Sequence, residues 1–156
     1  MNRIKLDSFD HAILRLIAAH GRMSVTELAD RIGLTKSPTQ TRLRRLEEQG
    51  VILGYRAVIN PHQIDAAHVA FVEVKLSDTR EAALQAFNAA VRKIPEIEEC
   101  HLIAGAFDYL LKVRSSDIAT YRRVLAEQIS GLPHITSTST HVAMEAVKET
   151  GAQSIL

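Results

Sequence analysis

The spacing of the apolar residues changes near Pro61. Before this proline they recur at intervals of three and four residues, as in amphipathic helices. After it, several stretches alternate apolar and polar residues, as in strands with one buried face. The change predicts two domains. The first covers residues 1–60 and ends in an extended linker strand over residues 51–59, and the second covers residues 61–156.

Three helices are predicted in the first domain, and the second of them has the clearest ends. The Ser24 hydroxyl can accept a hydrogen bond from the Glu27 amide while the Glu27 carboxylate reaches back, which is a capping box. Gly33 ends this helix because glycine adopts the left-handed backbone conformation of a helix terminus without strain. The first helix follows Asp7.

The predicted third helix begins at Thr35 or Ser37, runs to about residue 49 and has a polar, basic surface. Two helices joined around a glycine, the second of them basic, match the spacing of a helix-turn-helix, whose second helix enters the DNA major groove. Glutamine can pair with adenine and arginine with guanine, whereas Arg42 and Arg45 are better placed for phosphates. The predicted DNA-contacting residues are Lys36, Ser37, Thr39, Gln40, Arg42, Arg44 and Arg45. The alternative is the solvated face of an ordinary three-helix bundle.

Two strand–helix–strand units follow each other in the second domain, with Pro95 and Pro133 each ending a helix. A right-handed crossover in each unit leads to one antiparallel sheet with both helices on one face, the ferredoxin-like βαββαβ arrangement. The chain is therefore predicted to be an α+β protein. The predicted strands cover residues 69–76, 97–103, 109–114 and 135–147, and the helices lie within 83–94 and 118–132.

The face of this sheet without helices is predicted to carry Val69, Phe71 and neighbours from other strands. An apolar sheet face without covering helices favours contact with a second subunit. We therefore predict an obligate dimer at least.

Composition and charge narrow the classes of protein. Hydrophobic residues make up 46% and charged residues 24% of 156 residues, as in an average globular protein. Up to Asn60 there are 10 basic and 6 acidic residues, and beyond it 9 and 12, so the two domains are expected to meet different partners. No apolar run approaches the roughly 20 residues of a membrane span, and residues 1–7 lack the apolar core of a secretory signal. We expect a cytoplasmic protein that has no membrane partner.

Nothing in the sequence predicts catalysis. Cys100 is the one cysteine, which excludes an internal disulfide and a multi-cysteine zinc site. His101 is adjacent to it on a predicted strand, so the two side chains point to opposite faces and form no dyad. No triad, metal cluster or phosphate loop is assembled. We predict no enzyme activity, no cofactor and no metal.

Ordered sequence motifs run through both domains. In the first domain they are Leu6-Asp7 with Asp10 and Ile13-Leu14, Glu27-Leu28-Ala29, Ile32-Gly33-Leu34, Arg42 to Glu47, Gly50-Val51-Ile52 and Tyr55-Arg56-Ala57. In the second they are Glu99-Cys100-His101, Gly105 to Tyr109 and Met144-Glu145. By these motifs the chain resembles the Lrp/AsnC (feast/famine) transcription regulators, from about residue 6 to residue 148. The resemblance implies an N-terminal winged helix-turn-helix and a C-terminal ferredoxin-like, ligand-sensing RAM domain. It also implies dimers that assemble into octamers or other multiples, and control by a small molecule, usually an amino acid.

The same resemblance implies an effector bound between dimers, against the turn that begins at Gly105. Asp108 could bind an α-ammonium group through a charge-assisted hydrogen bond, and backbone amides could bind the carboxylate. The predicted effector-contacting residues are Gly105, Ala106, Phe107, Asp108, Tyr109, Thr138 and Thr140. Ala106 departs from many members of the family, which carry an acid there. The alternative is a plain hairpin turn in which Asp108 bonds local backbone.

The sequence therefore predicts a sequence-specific DNA-binding transcriptional regulator. Its predicted partners are double-stranded DNA, an amino-acid effector and further copies of itself. Residues 76–81 and 105–108 are similar to the proline-utilisation regulators of the family, so proline is the first expected effector and leucine the second. The alternative is an amino-acid-binding oligomer that does not bind DNA.

Overall fold

The computed structural model describes residues 4–149. The chain divides into two compact units, Met1–Ala57 and Val58–Leu156. Each unit has its own cluster of buried apolar side chains. Within the described part of the chain, none of the helices has the length and apolar character that crossing a membrane requires.

The N-terminal unit consists of three helices, α1 (Ser8–Ala19), α2 (Val25–Ile32) and α3 (Lys36–Glu48). Asp7 caps α1 through a reciprocal box: its carboxylate accepts from the Asp10 amide at 2.9 Å, and its own amide donates to the Asp10 carboxylate at 3.0 Å. The apolar stripes meet in a core that includes Ile13, Leu28 and Leu46. The three predicted helices are present.

Helix α2 begins and ends where the sequence predicts. The Ser24 hydroxyl accepts from the Glu27 amide at 3.2 Å, and Gly33 is left-handed with φ of 73°. The prediction that the Glu27 carboxylate reaches back to the Ser24 amide is wrong, because that carboxylate instead accepts from Arg31 at 3.0 Å. An arginine one turn further along offers a charged donor, which is a stronger partner than a neutral amide.

The predicted linker strand is not formed. Residues 53–58 have no strand structure, and Ile59 makes only a single bridge. A strand needs a neighbouring strand for its hydrogen bonds, and the described residues of the N-terminal unit contain helices alone. The segment therefore leaves apolar side chains in solvent, with Leu53 95% exposed and Val58 77% exposed.

The C-terminal unit is the predicted ferredoxin-like βαββαβ sheet. Its four antiparallel strands lie in the order β2-β3-β1-β4, and the helices pack on one face. The alternating apolar residues of β1 point to that face, where Val72 and Val74 contact a core containing Phe87. The elements are β1 (His68–Leu76), α4 (Glu81–Val91), β2 (Ile97–Leu102), β3 (Tyr109–Ser115), α5 (Ile118–Val124) and β4 (Ile135–Val142).

The ends of α5 and β4 differ from the prediction. The α-helical turns stop at Val124, and Leu125–Ile129 continue as a π-helix in which the Ser130 amide donates to the Leu125 carbonyl at 2.8 Å. Ile118 lies at the first position of α5 and is half exposed. Strand β4 ends at Val142, which pairs with Ala70 of β1, and not at residue 147. The Ala143 amide makes one more bond, to the Val69 carbonyl at 2.9 Å, but β1 starts at His68 and has no backbone to pair with residues 145–147.

The sheet face without helices is only partly apolar, so the prediction for it is wrong in part. Val69 lies opposite Arg114 and Phe71 opposite Lys112, which places both basic residues on this face. Arg114 is fully buried: its Nε donates to Glu98 at 2.7 Å, Nη1 donates to the Ala66 carbonyl at 2.8 Å, and Nη2 donates to Glu149. We call the ion-paired group of Glu98, Lys112, Arg114 and Glu149 the Arg114 cluster.

Candidate DNA-binding surface and effector turn

One face of α3 is open to solvent and lines a shallow depression. Its side chains lie one or two turns apart, at positions i, i+1, i+4, i+5 and i+8, so they point in the same direction. We call this surface the α3 face; its residues are Lys36, Ser37, Gln40, Thr41 and Arg44.

The side chains of the α3 face are suited to hydrogen bonds with DNA. Arg44 is exposed and makes no ion pair with any residue from 4 to 149, so its guanidinium group can bind guanine or a phosphate. Gln40 is half-buried and can offer both an acceptor and a donor to adenine. Lys36 is exposed at the beginning of the helix. A helix of about 10–12 Å diameter with these side chains fits the major groove.

Thr39 was predicted to contact DNA, and this prediction is wrong. Its side chain is fully buried, and its hydroxyl donates to the Thr35 carbonyl at 2.9 Å. It lies one turn before Leu43 on the core side of α3. Thr41 was missed, although it lies one turn after Ser37 and three residues before Arg44 and so shares their face.

Arg42 and Arg45 face the beginning of α1. Arg42 Nη1 donates to Asp7 Oδ2 at 2.7 Å and to Asp10 Oδ1 at 2.9 Å, and Arg45 Nη2 donates to Asp10 Oδ2 at 2.5 Å. The Arg42 guanidinium group also lies 5.4 Å from the centre of the Phe9 ring, within cation–π distance. We call Asp7, Asp10, Arg42 and Arg45 the Asp7–Asp10 cluster.

The contacts of this cluster keep both carboxylates ionised. The Asp10 amide and the Arg42 guanidinium group lower the pKa of Asp7. Burial opposes ionisation of Asp10, but the Asp7 amide and the two arginines outweigh it, so the pKa of Asp10 is also lowered. The negative charges of these two carboxylates therefore neutralise the positive charges of Arg42 and Arg45. Of the four basic residues of α3, Lys36 and Arg44 are the two outside this cluster.

The predicted effector turn is held by Asp108. Its Oδ2 accepts from the Leu76 amide at 2.7 Å, and its own amide donates to the Val74 carbonyl at 2.9 Å. Gly105 and Ala106 are exposed and Phe107 is half-buried. Asp108 thus makes the local backbone bonds of a hairpin turn and presents the exposed residues before it at the end of β1.

Tyr109 was predicted to contact the effector, and for its side chain this is wrong. The ring is buried, and its centre lies 4.4 Å from the centre of the Phe87 ring. Tyr109 pairs with Val74, whose side chain faces the helices, so the phenol enters the core. Only the backbone of Tyr109 is placed beside the turn.

Thr138 and Thr140 lie on β4, across the sheet from the turn. They pair with Val74 and Val72 of β1, and β1 separates them from β3. Two strand spacings amount to about 10 Å. The Thr140 hydroxyl is hydrogen-bonded to Tyr121. The structure of one chain therefore does not bring the two threonines together with residues 105–109.

Two protein families match separate parts of the chain. Residues 6–52 match the family described as winged helix-turn-helix DNA-binding. Residues 69–153 match the Lrp/AsnC ligand binding domain. The first match contains the α3 face, and the second contains the turn held by Asp108.

Relatives of known type match over nearly the whole chain. A proline dehydrogenase transcriptional activator from Rhizobium radiobacter is 64% identical, with 94% of each chain covered. A leucine-responsive regulatory protein from Salmonella typhimurium is 47% identical over 92% of this chain and 88% of its own. A feast or famine regulatory protein from M. tuberculosis, solved in complex with L-methionine, is 32% identical with a TM-score of 0.84, covering 93% of this chain and 96% of its own.

Proposed function

This chain belongs to the Lrp/AsnC family of DNA-binding transcriptional regulators, and from that premise we propose how its two units divide the work. The α3 face of the N-terminal unit binds base edges and phosphates in the major groove of an operator. The C-terminal unit binds a free amino acid and changes that binding. The cytoplasmic location expected from the sequence stays part of this proposal, because a regulator acts where its DNA lies.

The observation that carries the DNA-binding proposal is the contrast among the arginines of α3. Arg44 is exposed and has no carboxylate partner among residues 4–149, whereas Arg42 and Arg45 are ion-paired. A protein recognises a DNA sequence through side chains that are free to form hydrogen bonds with the base edges. We therefore assign direct contact with DNA to Lys36, Ser37, Gln40, Thr41 and Arg44.

Replacing Arg44 with alanine tests this assignment. Losing one arginine contact should cost about 1–3 kcal/mol, which is roughly a fivefold to 150-fold loss of affinity. Affinity is measured by fluorescence anisotropy with the DNA upstream of the chain's own gene and with an unrelated duplex of equal length. Arg15→Ala is the matched control, since Arg15 is exposed on α1 and outside the α3 face. Equal losses for the two variants, or no loss for Arg44→Ala, would contradict the assignment.

The effector is proposed to be an amino acid, with proline tested first and leucine second. The relatives named for proline dehydrogenase and for leucine support this order. The exposed turn residues before Asp108 offer backbone amides to a carboxylate. Thermal shift is the measurement: a specific ligand at 100 times its Kd should stabilise the protein by roughly 2.7 kcal/mol. D-proline is the control, because a built site distinguishes the two enantiomers.

We also propose that the chain forms homodimers that assemble further, with the octamer as the first size to test. The exposed apolar side chains support this, above all Leu53, Val58 and Met144. Burying such side chains between subunits would remove apolar surface from water, which favours association. Sedimentation velocity at several concentrations, with and without proline, measures the assembly. A monomer at every concentration would contradict it.

A further inference from the structure

A second depression continues the α3 face around the side of the helix. It shares Ser37 and Thr41 with that face. Asp7, Arg42 and Arg45 line it as well. A molecule that follows the α3 face in this direction therefore meets two arginines and one carboxylate.

The flank of a recognition helix is where DNA phosphates lie. The major groove is about 12 Å wide and an α-helix with side chains about 10–12 Å across, so the phosphate strands run along both sides of an inserted helix. This inference rests on the proposed contact of the α3 face with DNA. Given that contact, the second depression faces a phosphate strand.

The two carboxylates of the cluster differ in their access to solvent. The Asp10 side chain is 1% exposed, whereas the Asp7 side chain is 49% exposed. Both accept from the same Arg42 nitrogen, Nη1. A DNA phosphate that approaches from the solvent can take the place of the half-exposed Asp7 at Arg42, while the buried Asp10 keeps its own hydrogen bond to Arg42 and holds it in position.

We propose that Asp7 competes with a DNA phosphate for Arg42. In wild type the Asp7 carboxylate holds the guanidinium group and keeps a DNA phosphate away from it, and once the Asp7 charge is removed a phosphate oxygen takes that place. Asp7 thereby weakens binding to every duplex, because phosphate contacts carry no sequence information. The base contacts of the α3 face then account for a larger share of the affinity.

Asp7→Asn is the test, because asparagine caps a helix as well as aspartate does and removes only the charge. Affinity for the DNA upstream of the gene is measured by anisotropy over a range of salt. One added phosphate contact makes the log–log salt slope steeper by about 0.9, so the advantage of the variant over wild type grows about eightfold for each tenfold fall in salt. Asp7→Ser, which also retains a capping oxygen, should give the same slope.

Two controls separate this competition from a general change in charge. Asp30→Asn changes the net charge equally, but Asp30 is exposed on α2 and belongs to no ion pair seen in residues 4–149, so its slope should equal that of wild type. In an Arg42→Gln background, Asp7→Asn should no longer strengthen binding. A slope for Asp7→Asn equal to that of Asp30→Asn, or a gain that persists without Arg42, overturns the inference.

The comparison with Arg44→Ala keeps the two proposals apart. If Arg44→Ala weakens binding while Asp7→Asn leaves the slope unchanged, DNA binding by the α3 face stands and the competition by Asp7 is wrong. If Arg44→Ala has no effect while Asp7→Asn steepens the slope, a phosphate reaches Arg42 although the α3 face does not read the bases.

Discussion

Two groups of arginines and carboxylates, one in each unit, have similar chemistry and different surroundings. In the Asp7–Asp10 cluster, two arginines lie at the edge of the α3 face and keep part of their surface in water. In the Arg114 cluster, the arginine and Glu98 are both out of contact with solvent. A buried arginine can only serve the fold, whereas a half-exposed one can exchange its partner. The difference shows that burial, more than residue type, decides which arginines are available to a ligand.

The largest expected effect comes from the buried arginine. Arg114→Met removes the buried hydrogen bonds to Glu98, to Glu149 and to the Ala66 carbonyl and leaves Lys112 as the remaining cation of the cluster, which should lower the free energy of unfolding by about 3–5 kcal/mol. Urea unfolding followed by circular dichroism measures it. Arg123→Met, on the exposed side of α5, is the control and should change stability by less than about 0.5 kcal/mol. Equal stability of the two variants would contradict the conclusion that the buried Arg114 serves the fold.

A smaller loss is expected at the carboxylate that organises the other cluster. Asp10→Asn removes the charge that receives Arg42 and Arg45, while both arginines keep access to water and Arg42 keeps Asp7. The expected cost is about 1.5–3 kcal/mol in the same urea experiment, since hydrogen bonds to charged groups have this value. A loss of unfolding free energy as large as that of Arg114→Met would show that the solvent exposure of the two arginines does not reduce the cost of removing their partner.

Acid should weaken both clusters. Burial opposes ionisation of Asp10 and Glu149, but hydrogen bonds outweigh it and lower both pKa values from ordinary values of 3.8 and 4.5. The bonds come from the Asp7 amide and two arginines at Asp10, and from Lys112 and Arg114 at Glu149. The unfolded chain therefore takes up these protons first, so the stabilisation is complete above about pH 5 and is lost as the pH falls through the lowered values. Unfolding free energies at several values between pH 6 and pH 2.5 measure this. Asp10→Asn should lose less than wild type, and identical losses would count against the role of Asp10.

Much of the fold could be predicted because local patterns determine it. Ser24 and Gly33 mark the ends of α2 by their own backbone preferences, and the alternation in β1 places Val72 and Val74 in the core. The opposite directions of Cys100 and His101 follow from strand geometry: Cys100 packs against the core, and His101 is exposed.

The rest depended on contacts between residues distant in sequence. The residues next to Arg42 in the sequence do not indicate that its guanidinium group is ion-paired with Asp7 and Asp10, which lie about 35 positions earlier. The burial of Thr39 follows from the position of α1 and α2 around α3, which its own neighbours do not specify. Lys112 and Arg114 did carry a signal, because they alternate with Leu111 and Val113 and so had to lie on the face opposite the core.

The π-helix after α5 contains one residue more than an α-helix would need over the same length. Deleting one residue within Leu125–Ile129 would therefore convert the wide π turn to ordinary α-helical spacing. Pro133 and the whole of β4 would keep their places. A one-residue deletion, which would shift the register of an ordinary α-helix, can therefore occur in these five residues without moving the sheet.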